Sequence, residues 1–229
     1  MNLHEGHRKR LKDRFIKNGL SEFEDHNILE LLLFFSVPRS DTNEIGHRLL
    51  KTFGSISNVF DAPVEALCKV EGVGEHSATL IKLIPELCRV YNVDKAENIK
   101  IINSTDDAGK YFIPRFIGKT TEEVHIMLLD DKKRLIKSEV ITKGTISAAA
   151  ISVRRIVDSA ITNNATGVIL AHNHPGGVAI PSPNDVVVTR KIYIALKSID
   201  ITLHDHIVVA GDDYVSMRES GNFADFDYM

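Results

Sequence analysis

Apolar positions recur at helical spacing through residues 1–92 and at mixed helix and strand spacing afterwards. His4 to Gly19 reads as a helix with a basic face, stopped by its glycine. Asn27 to Phe35 is apolar nearly all round, which marks it as the buried central helix of this unit. Pro38 ends that helix. Ser40-Asp41-Thr42-Asn43 opens the next, whose apolar side carries Ile45, Leu49, Leu50 and Phe53. Gly54-Ser55-Ile56-Ser57 leads into a short helix, and Ala62-Pro63 into one more.

Asn92 to Ser104 is polar and alternating, which predicts a linker over residues 93–104. Ser104-Thr105-Asp106-Asp107 is a helix start, and that helix is expected to run through Phe112 until Pro114 interrupts or ends it. Glu123 to Asp130 then reads as a strand, Asp131-Lys132-Lys133 as a hairpin turn, and Arg134 to Thr142 as the antiparallel partner. Gly144-Thr145 turns the chain toward Ser147, and Ala148 to Asn163 has helical periodicity. Gly167 to Ala171 is a short buried strand, a helix should run from Asp185 to about Lys197, and Ile201–Val209 and Tyr214–Ser216 complete a sheet. The expected organisation is a helical domain over 1–92 and an α+β, or α/β/α, domain over 105–229.

The chemistry concentrates after the buried strand. Alternate strand residues share a face, so His172 and His174 should project together. A loop containing Pro175, Gly176, Gly177 and Pro181 follows, and Ser182-Pro183-Asn184-Asp185 looks like a helix start. Two imidazoles and a carboxylate suit Zn2+, and three protein ligands would leave a fourth position for water. His204 and His206, with Asp205 between them, form a second H-x-H. Because a catalytic zinc site already has its three ligands, His206 or Asp205 is expected behind them, or in a core hydrogen bond. His125 is expected to be a partly buried strand residue.

Composition narrows the setting. A formal net charge of -3 argues against a general nucleic-acid coat. Residues 1–92 hold twelve Lys or Arg and thirteen Asp or Glu, although six cations crowd between Arg8 and Lys17. Cys68 and Cys88 match no zinc spacing and read as small buried residues. Sparse cysteine, no signal peptide and no run of 18 apolar residues predict a soluble cytoplasmic protein with no membrane partner.

His172-x-His174, seven residues, Ser182, two residues and Asp185 resemble the JAMM metal motif of the JAB/MPN metalloprotein superfamily. The surrounding residues, from His172-Asn173-His174-Pro175-Gly176-Gly177 to Pro181-Ser182-Pro183-Asn184-Asp185, are similar to the RadC branch. The resemblance covers residues 105–221 closely, including Gly144-Thr145, the Arg154-containing helix, Asp205-His206 and Tyr214 to Gly221. Two departures stand out: Gly176 replaces the usual serine after Pro175, and Val153-Arg154-Arg155 replaces a usual Pro-Arg-Glu. Neither touches a ligand.

The resemblance implies an MPN/JAB-like mixed sheet with flanking helices, zinc held by His172, His174 and Asp185, and hydrolysis of a peptide or isopeptide amide in an unspecified substrate. It assigns the general base to a glutamate at the beginning of the domain's first strand, which Glu123 matches. Glu122, one residue out of phase, would face the other side of the strand, and Glu139 is the remaining candidate. Ser182 matches a serine that helps hold an oxyanion, and it also suits a helix cap.

In the leader, Leu67 to Lys82 resembles a helix-hairpin-helix. Gly72, Val73 and Gly74 would form its hairpin, with Val70 and Val73 packing inward and Ala78 allowing close helix contact. That motif implies contact with a DNA phosphate through backbone N–H groups. The alternatives are therefore a DNA-binding or nucleic-acid-processing protein, and a metal-holding interaction module without turnover.

Overall fold

The computed structural model describes residues 3–38, 40–97, 99–144 and 153–226. The chain divides into two compact units, Met1–Cys88 and Arg89–Met229.

The first unit is helical. It contains α1 (Leu3–Asn18), α2 (Asp25–Leu33), α3 (Thr42–Phe53), α4 (Ile56–Asp61), α5 (Val64–Leu67) and the start of α6 (Glu75–Ala96). Its core joins Leu29 and Leu33 of α2 to Ile45 and Leu49 of α3, and to Val70, Val73, Ala78 and Ile81 further on. Gly72 lies in the turn between α5 and α6 at a φ of +91°, and a Cβ there would meet the Ile45 side chain at 2.8 Å. A residue without a side chain is required on both counts.

Three readings of this part change. Helix α6 continues past Asn92 to Ala96, because no glycine stops it and it accommodates Pro85 in its interior. The rest of the expected linker is not a free tether. Ile101 forms a bridge with Arg134, Ile102 N donates to Lys133 O at 2.9 Å, and Ile102 is buried. Both cysteines are exposed rather than buried.

The second unit is a five-stranded mixed sheet in the order β2-β1-β3-β4-β5, built from β1 (Glu123–Leu129), β2 (Leu135–Lys143), β3 (Gly167–Asn173), β4 (Thr202–Ala210) and β5 (Asp213–Ser216). The pairing β3–β4 is parallel and the others are antiparallel. Helix α9 (Pro183–Lys197) makes the crossover that a parallel pair needs. One sheet face packs Val124, Ile126, Leu128, Val168 and Leu170 against Ile156 and Ala160 of α8 (Val153–Thr162) and against Val188, Ile192 and Leu196 of α9. The other face packs Met127, Leu129, Ile169, Ala171, Ile207 and Val209 against α7 (Thr105–Phe116).

The fold is therefore α+β, with helices on both faces of a mixed sheet and a helical region before it. Helix α7 runs through Pro114 to Phe116, whose ring is buried beside Phe112. Of the helix expected from Ala148, the part before Val153 lies outside the described residues, as do Thr145 and Ser147.

Candidate metal centre

Strand β3 delivers both histidines to its C-terminal end. His172 is its penultimate residue, and His174 extends the pairing by donating its N–H to Val209 O at 2.8 Å. The loop turns back so that α9 begins beneath them. Ser182 is the N-cap of α9 and Asp185 completes a capping box: Asp185 N donates to Ser182 Oγ at 3.2 Å, and Ser182 N donates to Asp185 Oδ2 at 2.7 Å. The cap aims the carboxylate at the imidazoles. His172 Nε2 lies 3.5 Å from Asp185 Oδ1, His174 Nε2 lies 3.6 Å from Asp185 Oδ2, and the two Nε2 atoms are 3.0 Å apart.

The proton positions follow from the bonds behind these atoms. Thr189 Oγ lies 2.5 Å from Asp185 O, a carbonyl that can only accept, so the Thr189 proton goes there. His206 Nδ1, 2.6 Å from the Thr189 hydroxyl oxygen, must then donate to that oxygen. Burial, with His172 and His174 alongside, holds the His206 pKa well below its ordinary value. The ring is therefore neutral and its Nε2 is an acceptor. His172 Nδ1, 2.7 Å away, donates to it. His174 Nδ1 faces Val178 O at 3.1 Å and donates as well.

Both Nε2 lone pairs are thereby left facing each other and a carboxylate. Burial works to raise the Asp185 pKa, but positive charge at the His172 position, together with the hydroxyl and N–H of Ser182, outweighs it and holds the group well below the usual carboxylate range, so the carboxylate calls for a cation beside the imidazoles. Two lone pairs and an anion crowded together repel unless a cation sits among them. Nitrogen and oxygen donors about 2.0–2.1 Å from a tetrahedral ion stand roughly 3.4 Å apart. The observed spacings lie around that value, with the two imidazoles nearest different oxygens of Asp185, so a small adjustment of these side chains would seat one ion. Among the described residues no other three such side chains lie close enough to share an ion. His172 and Asp185 are buried while His174 is half-buried, so the site opens on the His174 side.

The glutamates fall differently from expectation. Val124 pairs with His172 across β1 and β3, and directly paired residues share a face. Glu123 therefore faces the opposite side of the sheet, away from the histidines. Its buried carboxylate lies 3.1 Å from His125 Nε2 and 3.2 Å from Lys119 Nζ. The general-base reading of Glu123 is corrected on this ground. Glu122, one residue before β1, is in phase with Val124 and so falls on the face of His172. Glu139 sits on the edge strand, bonded to Ser159 and to Lys137.

Ser182 is also more committed than expected: its hydroxyl donates to Asp185 Oδ2 at 2.6 Å, so its single proton serves the ligand. His206 sits behind His172, one of the three candidate ligands. Asp205 instead accepts from Ser216 Oγ, His206 N and Arg218 N in the core. Sequence reasoning missed Thr189 and Asn173. Asn173 Oδ1 accepts from Glu123 N at 2.7 Å and its Nδ2 donates to Thr121 O at 3.1 Å, which clamps the segment carrying Glu122 beside the end of β3. An asparagine inside an otherwise apolar strand next to a histidine was the available signal.

In the helical unit, the turn at Gly72-Val73-Gly74 is flanked by the exposed carboxylates of Glu71 and Glu75. Three of the α1 cations turn onto aromatic rings, with Arg8 over Phe34, Lys12 over Phe35 and Arg14 over Phe23. Among the described residues no helix is long and apolar enough to cross a membrane.

A mixed sheet between helices, with paired histidines at a strand end and an aspartate in the following helical turn, defines a JAB-type (MPN) domain. Residues 102–222 match the family model described as the RadC-like JAB domain, and the chain belongs to that family. It is 35% identical to a UPF0758 protein of Ruegeria pomeroyi over 94% of this chain and 96% of that one. It is 34% identical to a UPF0758 protein of Fusobacterium nucleatum, covering 95% and 97% of the two chains. A UPF0758 protein of Pseudoalteromonas translucida is 33% identical over 93% and 95%.

Proposed function

We propose that this protein is a zinc-dependent hydrolase of the JAMM type that cleaves peptide or isopeptide amide bonds. One observation carries the reading: both histidine Nε2 lone pairs and the Asp185 carboxylate converge on one point, with each imidazole's other nitrogen already committed as a donor. When bound there, zinc would act as a Lewis acid and bring the pKa of water toward neutrality.

The chain's own residues supply the rest. Glu122, on the face of His172, is assigned to take the proton of the attacking water and pass it to the leaving amine nitrogen as the C–N bond breaks. Ser182 is a positioning residue that orients Asp185 through its hydroxyl and its N–H. Thr189 and His206 fix the His172 tautomer. The half-exposed His174 side is where an extended substrate would approach.

Metal content measured by mass spectrometry on wild type, His172→Ala and Asp185→Ala tests the site, and equal zinc in all three would refute it. Turnover of a panel of peptide and isopeptide substrates, compared between wild type and Glu122→Gln, tests the chemistry. No turnover of any of them by the zinc-loaded protein would remove the hydrolase reading while leaving the metal site standing.

A further inference from the structure

The sheet has a second concave surface, on the face away from the metal ligands. Helix α7 covers β3, β4 and β5 on that side, and beyond it a cleft of about 1110 Å³ opens over β1 and β2. Seven lysines and arginines line it, against three glutamates. Glu123 is neutralised by Lys119, whereas Glu139 and Lys137 touch the cleft only at its rim, since they sit opposite Ile126 and Leu128 on the other face of the sheet, which leaves Glu97 and Glu123 as the carboxylates of the cleft face. Lys100, Arg115, Arg134 and Lys143 add charge from separate segments that converge on the same space. Arg115 is held rigid, its guanidinium 3.4 Å from the Tyr111 ring centroid and donating to Tyr111 O at 2.5 Å. Beside these cations, Ile101 and Ile136 leave apolar surface open.

We propose that this cleft binds a nucleoside polyphosphate. A surplus of cations in a concave surface concentrates positive potential, and guanidinium and ammonium groups match phosphate oxygens. A simple polyanion would leave Ile101, Leu135 and Ile136 without a partner, whereas a nucleoside offers a flat apolar body to set against them. The volume slightly exceeds the roughly 300–1,000 Å³ common for small-molecule sites, which leaves room for a ligand the size of a nucleotide. A single-stranded nucleic acid fits less well, because Tyr111 is the one aromatic side chain among the described lining residues besides His125, and both are buried rather than presented for stacking. Glu123 has a role here: it holds Lys119 and faces Lys143 at 3.7 Å on the cleft floor.

Calorimetric titration of the full chain with ADP, ATP and pyrophosphate tests the assignment. ADP and ATP should bind, and exchanging the exposed Lys100, Arg134 and Lys143 for glutamine together should weaken them about tenfold or more with the melting temperature kept. The same nucleotides should bind His174→Ala unchanged, which separates this cleft from phosphate captured at the metal centre. In the unaltered protein, ATP should protect Lys100 and Lys119 from chemical acetylation. Wild-type affinity in the triple variant, loss of binding in His174→Ala, equal acetylation with and without ATP, or binding of oligonucleotides but not of mononucleotides would each overturn it.

Discussion

Thr189 Oγ and His206 Nδ1 stand 2.6 Å apart at the back of the metal centre, with the hydroxyl proton already given to Asp185 O. That one contact decides which nitrogen of His206 carries hydrogen, and hence which nitrogen of His172 is free to bind a metal. A helix hydroxyl thus sets the protonation of a strand imidazole two residues removed in the chain of contacts.

Thr189→Val removes the acceptor for His206 Nδ1 and leaves that ring without a fixed tautomer. Zinc affinity should fall about 10–100-fold, the usual scale for losing such a supporting bond, while the fold persists. Competition with a chromophoric chelator measures it. Thr189→Ser, which keeps the hydroxyl, should restore most of the affinity.

Glu122→Gln should lower kcat about 10²–10⁴-fold with zinc content unchanged, as expected for loss of a general base. Glu123→Gln should leave kcat within a few-fold, since that carboxylate faces the other side of the sheet. Steady-state kinetics on both variants distinguishes them, and the reverse ranking would mean that β1 enters the site out of the register described.

Acid should weaken the second unit through Glu123. Burial works to raise its pKa, but His125, Lys119 and Lys143 outweigh this and hold it below the ordinary value of 4.5. A carboxyl depressed in the folded state contributes stability that is full above its unfolded pKa and is lost as pH falls through the folded one. Urea denaturation of wild type should therefore lose stability below about pH 4.5 more steeply than that of Glu123→Gln. Parallel pH profiles would sink this.

Zinc should raise the melting temperature of wild type and not of His174→Ala. Binding to the native state alone contributes about 2.7 kcal/mol at a ligand concentration one hundred times Kd. Scanning calorimetry with and without a chelator reads this directly.

Gly72→Ala should destabilise the helical unit by about 1–3 kcal/mol, because the position combines a positive φ with a close approach to Ile45. Its signature is loss of helical ellipticity at lower denaturant, with metal affinity of the second unit retained.

Much of the candidate centre is legible in the sequence alone. The spacing of His172, His174 and Asp185 carries it, because strand alternation and a helix cap are local rules that survive tertiary context. Which glutamate shares the face of His172 is not legible in the sequence to within one residue. Side chains alternate across a strand, so choosing Glu123 over Glu122 meant fixing where β1 starts, and the Val124–His172 pairing that decides it is a contact between distant residues. The same limit hid Asn173, whose partners Thr121 and Glu123 lie about fifty positions earlier. The linker misread had another origin: a polar, alternating stretch can lie against a domain when one or two residues, here Ile101 and Ile102, anchor it.

Because β1 runs antiparallel to β3, the Asp130–Arg134 hairpin emerges at the rim beside Gly167, the far end of the sheet from His172. A reporter dye or an immobilisation tether grafted onto Asp131 would therefore sit remote from the His172, His174 and Asp185 cluster, giving an attachment handle that does not crowd the candidate metal centre.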